Sequence, residues 1–263
     1  MNDEAPGSLS DLYLALDTME AALATGMKQG QPSGELLERL RTISVTRAGA
    51  NATTAQALPD AAAPAPTLAT LQAKANACTA CPLASGRKHV VFGQGVAAPT
   101  VLIVGEGPGA EEDRQGQPFV GASGQLLDKM LASIGLSRGE NCYIANVVKC
   151  RPPNNREPAP DERAACMPYL REQIGFLAPR AILCAGRTAA QALLATTEGI
   201  NRLRNRTLEY NGIPVVATFH PSALLRDDTL KRPAWEDLKR LRDLLAGGSA
   251  AQASISDSPG RDD

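Results

Sequence analysis

Strands alternating with helices predict an α/β protein whose parallel sheet is covered by helices on both faces. Three observations carry that expectation. Four short runs, residues 101–104, 143–148, 181–185 and 214–219, have the length and unbroken apolar character of buried parallel strands. Segments with helical spacing separate them. Three stretches rich in Gly, Pro or Arg (residues 105–119, 146–156 and 220–226) each follow one of those runs, and ligands of open α/β sheets bind where loops leave the carboxyl ends of strands.

The elements follow in order. Leu12, Leu16, Met19 and Leu23 recur at helical spacing, so residues 1–44 read as a helical extension with a weaker second pattern at 33–43. Residues 45–67 are dominated by Ala, Thr, Pro and Asn and read as a flexible linker, because such a segment buries too little apolar surface to offset its ordering entropy. The extension is expected to serve as a solubility tail or to dock a protein partner. Residues 68–246 form the globular domain. It begins with a short helix running into Cys78 and Cys81, then a short strand and turn at 89–95. Residues 121–134 place Leu126, Leu127, Met130, Leu131 and Ile134 on one helical face before Gly135. Asp161 is expected to cap the helix that carries Cys166 and runs to about residue 177. Gly186 opens a small-residue helix to Leu194, and residues 201–206 form an Arg-bearing loop leading to a turn at Asn211-Gly212. The last helix is expected over about 233–245, with residues 247–263 as a disordered tail.

A chain of 263 residues, 43% hydrophobic, suits one domain plus appendages. No apolar run approaches the ~20 residues that cross a bilayer. The first thirty residues carry Asp3, Glu4, Asp11, Asp17 and Glu20 without a basic region before an apolar core, so we expect a cytoplasmic, monomeric protein with no membrane partner. The net charge of −1 conceals acidic flanks around a mildly basic centre, which permits nucleic acid.

Gly105-x-Gly107-x-x-Ala110 after a strand fits the looser dinucleotide fingerprint. Pro108 counts against it by stiffening the turn, and Glu111, Glu112 and Asp113 would repel a pyrophosphate. No Gly-Lys-Ser/Thr follows, which excludes a P-loop. Among six cysteines, Cys142 and Cys184 lie in apolar runs and read as core. Cys78, Cys81, Cys150 and Cys166 remain as a metal-ligating set, and their spacing suits zinc or an iron–sulfur cluster equally. His220 ends a strand and shares the expected sheet edge with Glu106 and Asn146. His89 lacks such company and reads as structural or surface.

Together, Gly105-Glu-Gly-Pro-Gly with Glu112-Asp113, Gly116-x-Pro-Phe-Val-Gly121, Asn146-Val-Val-Lys-Cys-Arg-Pro-Pro, Cys166-x-Pro-Tyr-Leu and His220-Pro-Ser-Ala-Leu-Leu-Arg226 resemble the family 4 uracil-DNA glycosylases. These are the iron–sulfur branch of the uracil-DNA glycosylase superfamily, and the resemblance spans roughly residues 71–245. It implies a three-layer α/β/α sandwich with a central four-stranded parallel sheet. It also implies a structural 4Fe–4S cluster held by Cys78, Cys81, Cys150 and Cys166, and uracil-containing DNA as the partner.

The chemistry of each motif accords with that resemblance. Uracil must leave the duplex stack before its glycosidic bond is accessible, so an aromatic face is needed, and Phe119 supplies one. Asn146 presents an amide to the O4 and N3–H edge, while Gly107 and Pro108 line the base. His220 is expected to stabilise charge on uracil O2 as an electrophile. Glu106 is expected to position or activate water, with Glu112 as the fallback. Leu224 and Leu225 are the expected minor-groove wedge, and Arg202, Arg204, Arg206, Arg226, Lys231 and Arg232 the expected phosphate contacts. A non-catalytic iron–sulfur or zinc protein binding nucleic acid on the same fold is the alternative.

Overall fold

The structure is a computed structural model that describes residues 67–206 and 208–253. The expected N-terminal helices, all but the last residue of the linker, and residues 254–263 of the tail lie outside the described residues. The elements are α1 (Leu68–Asn76), α2 (Leu83–Gly86), β1 (Gln94–Gly95), β2 (Val101–Gly105), α3 (Ala110–Gln115), α4 (Ala122–Ala132), β3 (Cys142–Asn146), α5 (Pro160–Leu177), β4 (Ala181–Ala185), α6 (Arg187–Leu194), α7 (Ile200–Leu203), β5 (Leu208–Tyr210), β6 (Ile213–Thr218), α8 (Pro221–Arg226) and α9 (Lys231–Ala253). Among them no helix is long and apolar enough to cross a membrane.

The sheet order is β1-β3-β2-β4-β6-β5. The four expected strands form its parallel centre. Among the described residues the whole sheet nevertheless has six strands, two beyond that parallel centre. Two short antiparallel strands, β1 against β3 and β5 against β6, close its edges. β1 is what remains of the short strand and turn expected at 89–95; β5, at three residues, carries no readable period, and only β6 makes it a strand.

Every residue of β2, β3 and β4 is buried, because helices cover both faces. The period-two alternation sorts them. Leu102, Val104, Ala145, Ile182, Cys184 and Val215 face a core closed by α5 and α6, with Leu170, Ile174 and Leu193. Val101, Ile103, Ile144, Leu183 and Val216 face a core closed by α4 and α9, with Leu127, Leu131, Leu238 and Leu241. Each such aliphatic side chain contributes roughly 1.5–3 kcal/mol by leaving water.

Three boundaries depart from expectation. α5 is capped at Ala159, not Asp161: Pro160 presets the first turn, and Glu162 reaches back to accept the Ala159 amide at 2.7 Å. Asp161 sits instead in the first turn, where negative charge suits the helix dipole. α9 begins at Lys231, because Asp227 accepts from Thr229 N at 3.0 Å and starts a 3₁₀ turn (Asp228–Leu230) that runs into it. It also continues to Ala253, through residues expected in the tail, where Ala250, Ala251 and Ala253 favour helix.

Candidate active site

The β2–β3 register sets Gly105 opposite Asn146, and β6 ends two residues before His220, so three strand ends converge on one edge. A cleft of about 580 Å³ lies there, and all six expected base-site residues, Glu106, Gly107, Pro108, Phe119, Asn146 and His220, line it.

The loop wall is built by Glu112. It stands in the first turn of α3; one carboxylate oxygen accepts the Gly109 amide at 3.1 Å, and the other accepts those of Val120 and Gly121 at 2.9 Å each. One side chain thus caps its helix and pins the loop's return. Both oxygens of Glu112 are engaged in holding the loop, a structural task that Glu106 does not share. Phe119 adopts a left-handed φ of 52°. That conformation costs an aromatic residue roughly 1–3 kcal/mol and persists only where the surroundings over-determine it. Arg138 does so, donating to the carbonyls of Pro118 at 3.0 Å and Phe119 at 2.9 Å. Gly105 leaves room for the result: a Cβ there would lie 2.4 Å from Asn146 Oδ1 and 2.6 Å from the Phe119 ring.

His220 is the N-cap of α8, and its ring centroid stands 5.6 Å from that of Phe119, tilted by 31°. The Ser222 backbone N–H donates to His220 Nδ1 at 3.1 Å, and the Ser222 hydroxyl lies 2.8 Å from the same atom. A backbone N–H is only a donor, so Nδ1 is the acceptor and the ring proton sits on Nε2. Burial, reinforced by the positive charge of Arg226 and opposed by Glu112, pushes the His220 pKa down to about 4. The ring is therefore neutral at physiological pH, with a fixed Nε2–H donor. Ser222 was missed from the sequence; its position as the second residue of a helix opened by His-Pro was the available signal.

Asn146 is 1% exposed, and its Oδ1 is buried without a hydrogen-bond partner among the described residues. An orphaned buried acceptor beside a cleft costs about 1–3 kcal/mol unless a ligand satisfies it. Glu106 lines the same cleft, and among the described residues its carboxylate has no recorded hydrogen bond. His89 is structural, its Nδ1 donating to the Asp113 carbonyl at 2.8 Å. Arg156, also on the cleft, is forked onto Glu162 at 2.8 and 2.6 Å.

Cys78, Cys81, Cys150 and Cys166 line a second, smaller pocket on the other side of β3. Arg87 donates to Cys150 Sγ at 3.2 Å, and the Lys149 amide donates to Cys166 Sγ at 3.3 Å. Among the described residues no three His, Cys, Asp or Glu side chains converge tightly enough to hold a single metal ion. The four cysteines round this common pocket, with Arg87 and the Lys149 amide donating to two of their sulfurs, are the candidate ligand set. Cys142 and Cys184 are buried core residues.

The expected DNA-contacting residues divide. Arg202, Arg226 and Arg232 are exposed. Arg206 and Lys231 are exposed but paired to Glu198 at 2.5 Å and Asp228 at 2.6 Å. Arg204 is a correction: it is 9% exposed, paired to Asp237 at 2.8 Å and stacked 4.6 Å from the Phe219 ring centre, so it points inward. Leu224 is another, at 2% exposure in a cluster with Phe219 and Ala234. Leu225 alone of the pair projects, at 49% exposure.

The profile of the uracil DNA glycosylase superfamily matches residues 92–239. A type-4 uracil-DNA glycosylase of Thermotoga maritima is 44% identical over 172 residues, which cover 64% of this chain and 89% of that protein. One from Pyrobaculum aerophilum is 44% identical over 171 residues, 61% of this chain and 86% of its own length. One from Archaeoglobus fulgidus is 41% identical over 175 residues, 64% of this chain and 87% of its own.

Proposed function

Since the chain belongs to the uracil DNA glycosylase superfamily, and within it to the type-4 enzymes, we propose that it hydrolyses the N-glycosidic bond of uracil in DNA, releasing uracil and leaving an abasic site. The observation that carries this is the buried, unpartnered Asn146 Oδ1 at the edge of a cleft shared with Phe119 and His220. Uracil supplies what that atom lacks. Its N3–H donates to Oδ1, and its O4 accepts from the amide nitrogen. Cytosine presents an acceptor and a donor at the same two points, so both contacts become mismatches.

The residues act in sequence on a base turned out of the stack. Phe119 gives the base a flat apolar face, and its carbonyl bond to Arg138 holds that face still. As the glycosidic bond lengthens, negative charge gathers on uracil O2. The neutral His220 Nε2–H donates to it, held in line by Ser222. A neutral donor is well matched here: it strengthens as charge develops and transfers no proton. Glu106 is the cleft carboxylate left free to orient water on the far side of the sugar, and its charge favours the cationic sugar. Leu225 is the wedge that fills the space left by the base, and Arg202, Arg226 and Arg232 meet phosphates.

The four cysteines would hold a 4Fe–4S cluster, which when bound supplies a cross-link between the chain after α1, the loop after β3, and α5. Binding the cluster needs thiolates, and Arg87 together with the Lys149 amide stabilises them.

Asn146→Ala tests the reading. It is expected to lower uracil excision about 10- to 100-fold, and inhibition by free uracil is expected to weaken by a similar factor, as loss of a buried hydrogen-bonding amide predicts. Unchanged inhibition by uracil would remove Asn146 from base recognition.

A further inference from the structure

Lys149 is 2% exposed and one of the largest fully buried side chains. Its ammonium donates to the Asn146 backbone carbonyl at 2.7 Å and to Gln173 Oε1 at 2.6 Å. No carboxylate is recorded in an ion pair with it among the described residues. Gln173 is fully buried too, and anchors itself by donating Nε2 to the Phe92 carbonyl at 2.9 Å. Through its backbone the same lysine touches the cysteine site, its amide donating to Cys166 Sγ at 3.3 Å. Cys166 and Gln173 stand seven residues apart on α5, two turns along one face, so one helix presents both partners.

An isolated buried ammonium is expensive, and an apolar side chain of equal volume would stabilise this position better. Its presence therefore points to a task. The charge would have a counterpart: a 4Fe–4S cluster held by the four thiolates would carry net negative charge, and Lys149 and Arg87 both line that pocket. The two hydrogen bonds give a direction, because one of them ends on the residue whose amide faces the base.

We infer that Lys149 is a positioning residue for uracil recognition, joining the cysteine site to Asn146 and fixing the peptide from which the Asn146 amide is presented. This rests on the reading that Asn146 contacts the uracil edge. A backbone carbonyl tied to a buried, doubly bonded ammonium fixes the peptide from which the Asn146 side chain reaches the uracil edge. The cysteine site then influences base recognition without touching the base.

The test uses the full chain with its iron and sulfide content measured, and compares Lys149→Met, Gln173→Met and Gln173→Glu. Two affinities are read for each: free uracil, as an inhibitor, and a duplex that already carries an abasic site and so presents no base. Lys149→Met and Gln173→Met are expected to weaken uracil about tenfold while the abasic duplex stays within about twofold, and Gln173→Glu, which keeps the acceptor for Lys149 but gives up the donor to the Phe92 carbonyl, is expected to weaken uracil less than Gln173→Met does. Uracil affinity unchanged in the methionine variants overturns the inference, as does an equal loss for both ligands, which is the signature of a merely structural residue. Should Lys149→Met fail to fold or to hold iron, the two Gln173 variants decide alone. Asn146→Ala separates the two layers. If it leaves uracil affinity intact, the reading of Asn146 fails; if it weakens uracil and the methionine variants do not, only the role of Lys149 fails.

Discussion

His220→Ala lowers the single-turnover rate of uracil release by about 10²–10³-fold, the usual consequence of removing one preorganised donor to developing negative charge. Affinity for a uracil-bearing duplex changes little, because the Nε2–H contact strengthens only as the bond breaks. The pH dependence gives this prediction a second edge. His220 is pushed down to about 4 by burial and by Arg226, so it binds no proton between pH 8 and pH 5. The rate is expected to show no inflection attributable to His220 across that range; a fall centred near 6.5 would mean that the ring titrates as an ordinary histidine. Stability follows the same linkage. In the window from about 6.5 down to about 4 the unfolded chain takes up a proton at His220 that the folded chain refuses, so stability falls with falling pH there and is fully present above it.

Asp237→Ala, in α9, is expected to be strongly destabilising, because Asp237 anchors the end of the strand leading to His220. Asp237 is fully buried, and its Oδ2 accepts from Arg204 Nε at 2.8 Å and from the Thr218 hydroxyl at 2.9 Å. Arg204 is itself 9% exposed and lies against the Phe219 ring, so the network clamps the two residues immediately before His220. Removing the carboxylate leaves a buried guanidinium without its counter-charge, which costs about 3–5 kcal/mol. That is a large share of the ~5–15 kcal/mol of a typical domain. Urea unfolding should show the loss as a lower midpoint at unchanged slope. Asp237→Asn keeps an acceptor and should lose less. Adding Arg204→Met to Asp237→Ala should recover part of the loss, since the stranded charge is then gone. A double variant no more stable than Asp237→Ala would contradict this account of the pair.

What the sequence made legible follows from how each feature is encoded. β2, β3, β4 and β6 are buried on both faces, so their unbroken apolar runs announce them. The short strand and turn expected at 89–95 narrows to the two residues of β1, which pair with β3, while β5 owes its existence to β6 and nothing local marks its three residues as strand. Glu106, Asn146 and His220 were legible as a site because each ends or follows a buried run, and parallel strands bring such ends together. The direction in which a side chain points was not legible. Arg204 stands among Arg202 and Arg206 and looks like its neighbours; only Asp237, thirty-three residues later, turns it inward. Leu224 and Leu225 are adjacent and identical, yet one turn of helix sends the first into a cluster with Phe219 and the second into solvent. Glu112 looked like a spare catalytic carboxylate. The three amides that it accepts come from both ends of its loop, and that closure is visible only in three dimensions.

The central claim is that this cleft excises uracil from DNA. Its most direct measurement is single-turnover incubation of the full chain with a duplex carrying one uracil, followed by identification of the released base and by alkali treatment of the strand. The account predicts free uracil in step with an alkali-labile site at that position, and neither product when thymine or cytosine stands there. An intact uracil strand after incubation with folded, iron-containing protein that still binds the duplex would contradict it and favour a non-catalytic nucleic-acid-binding protein on the same fold.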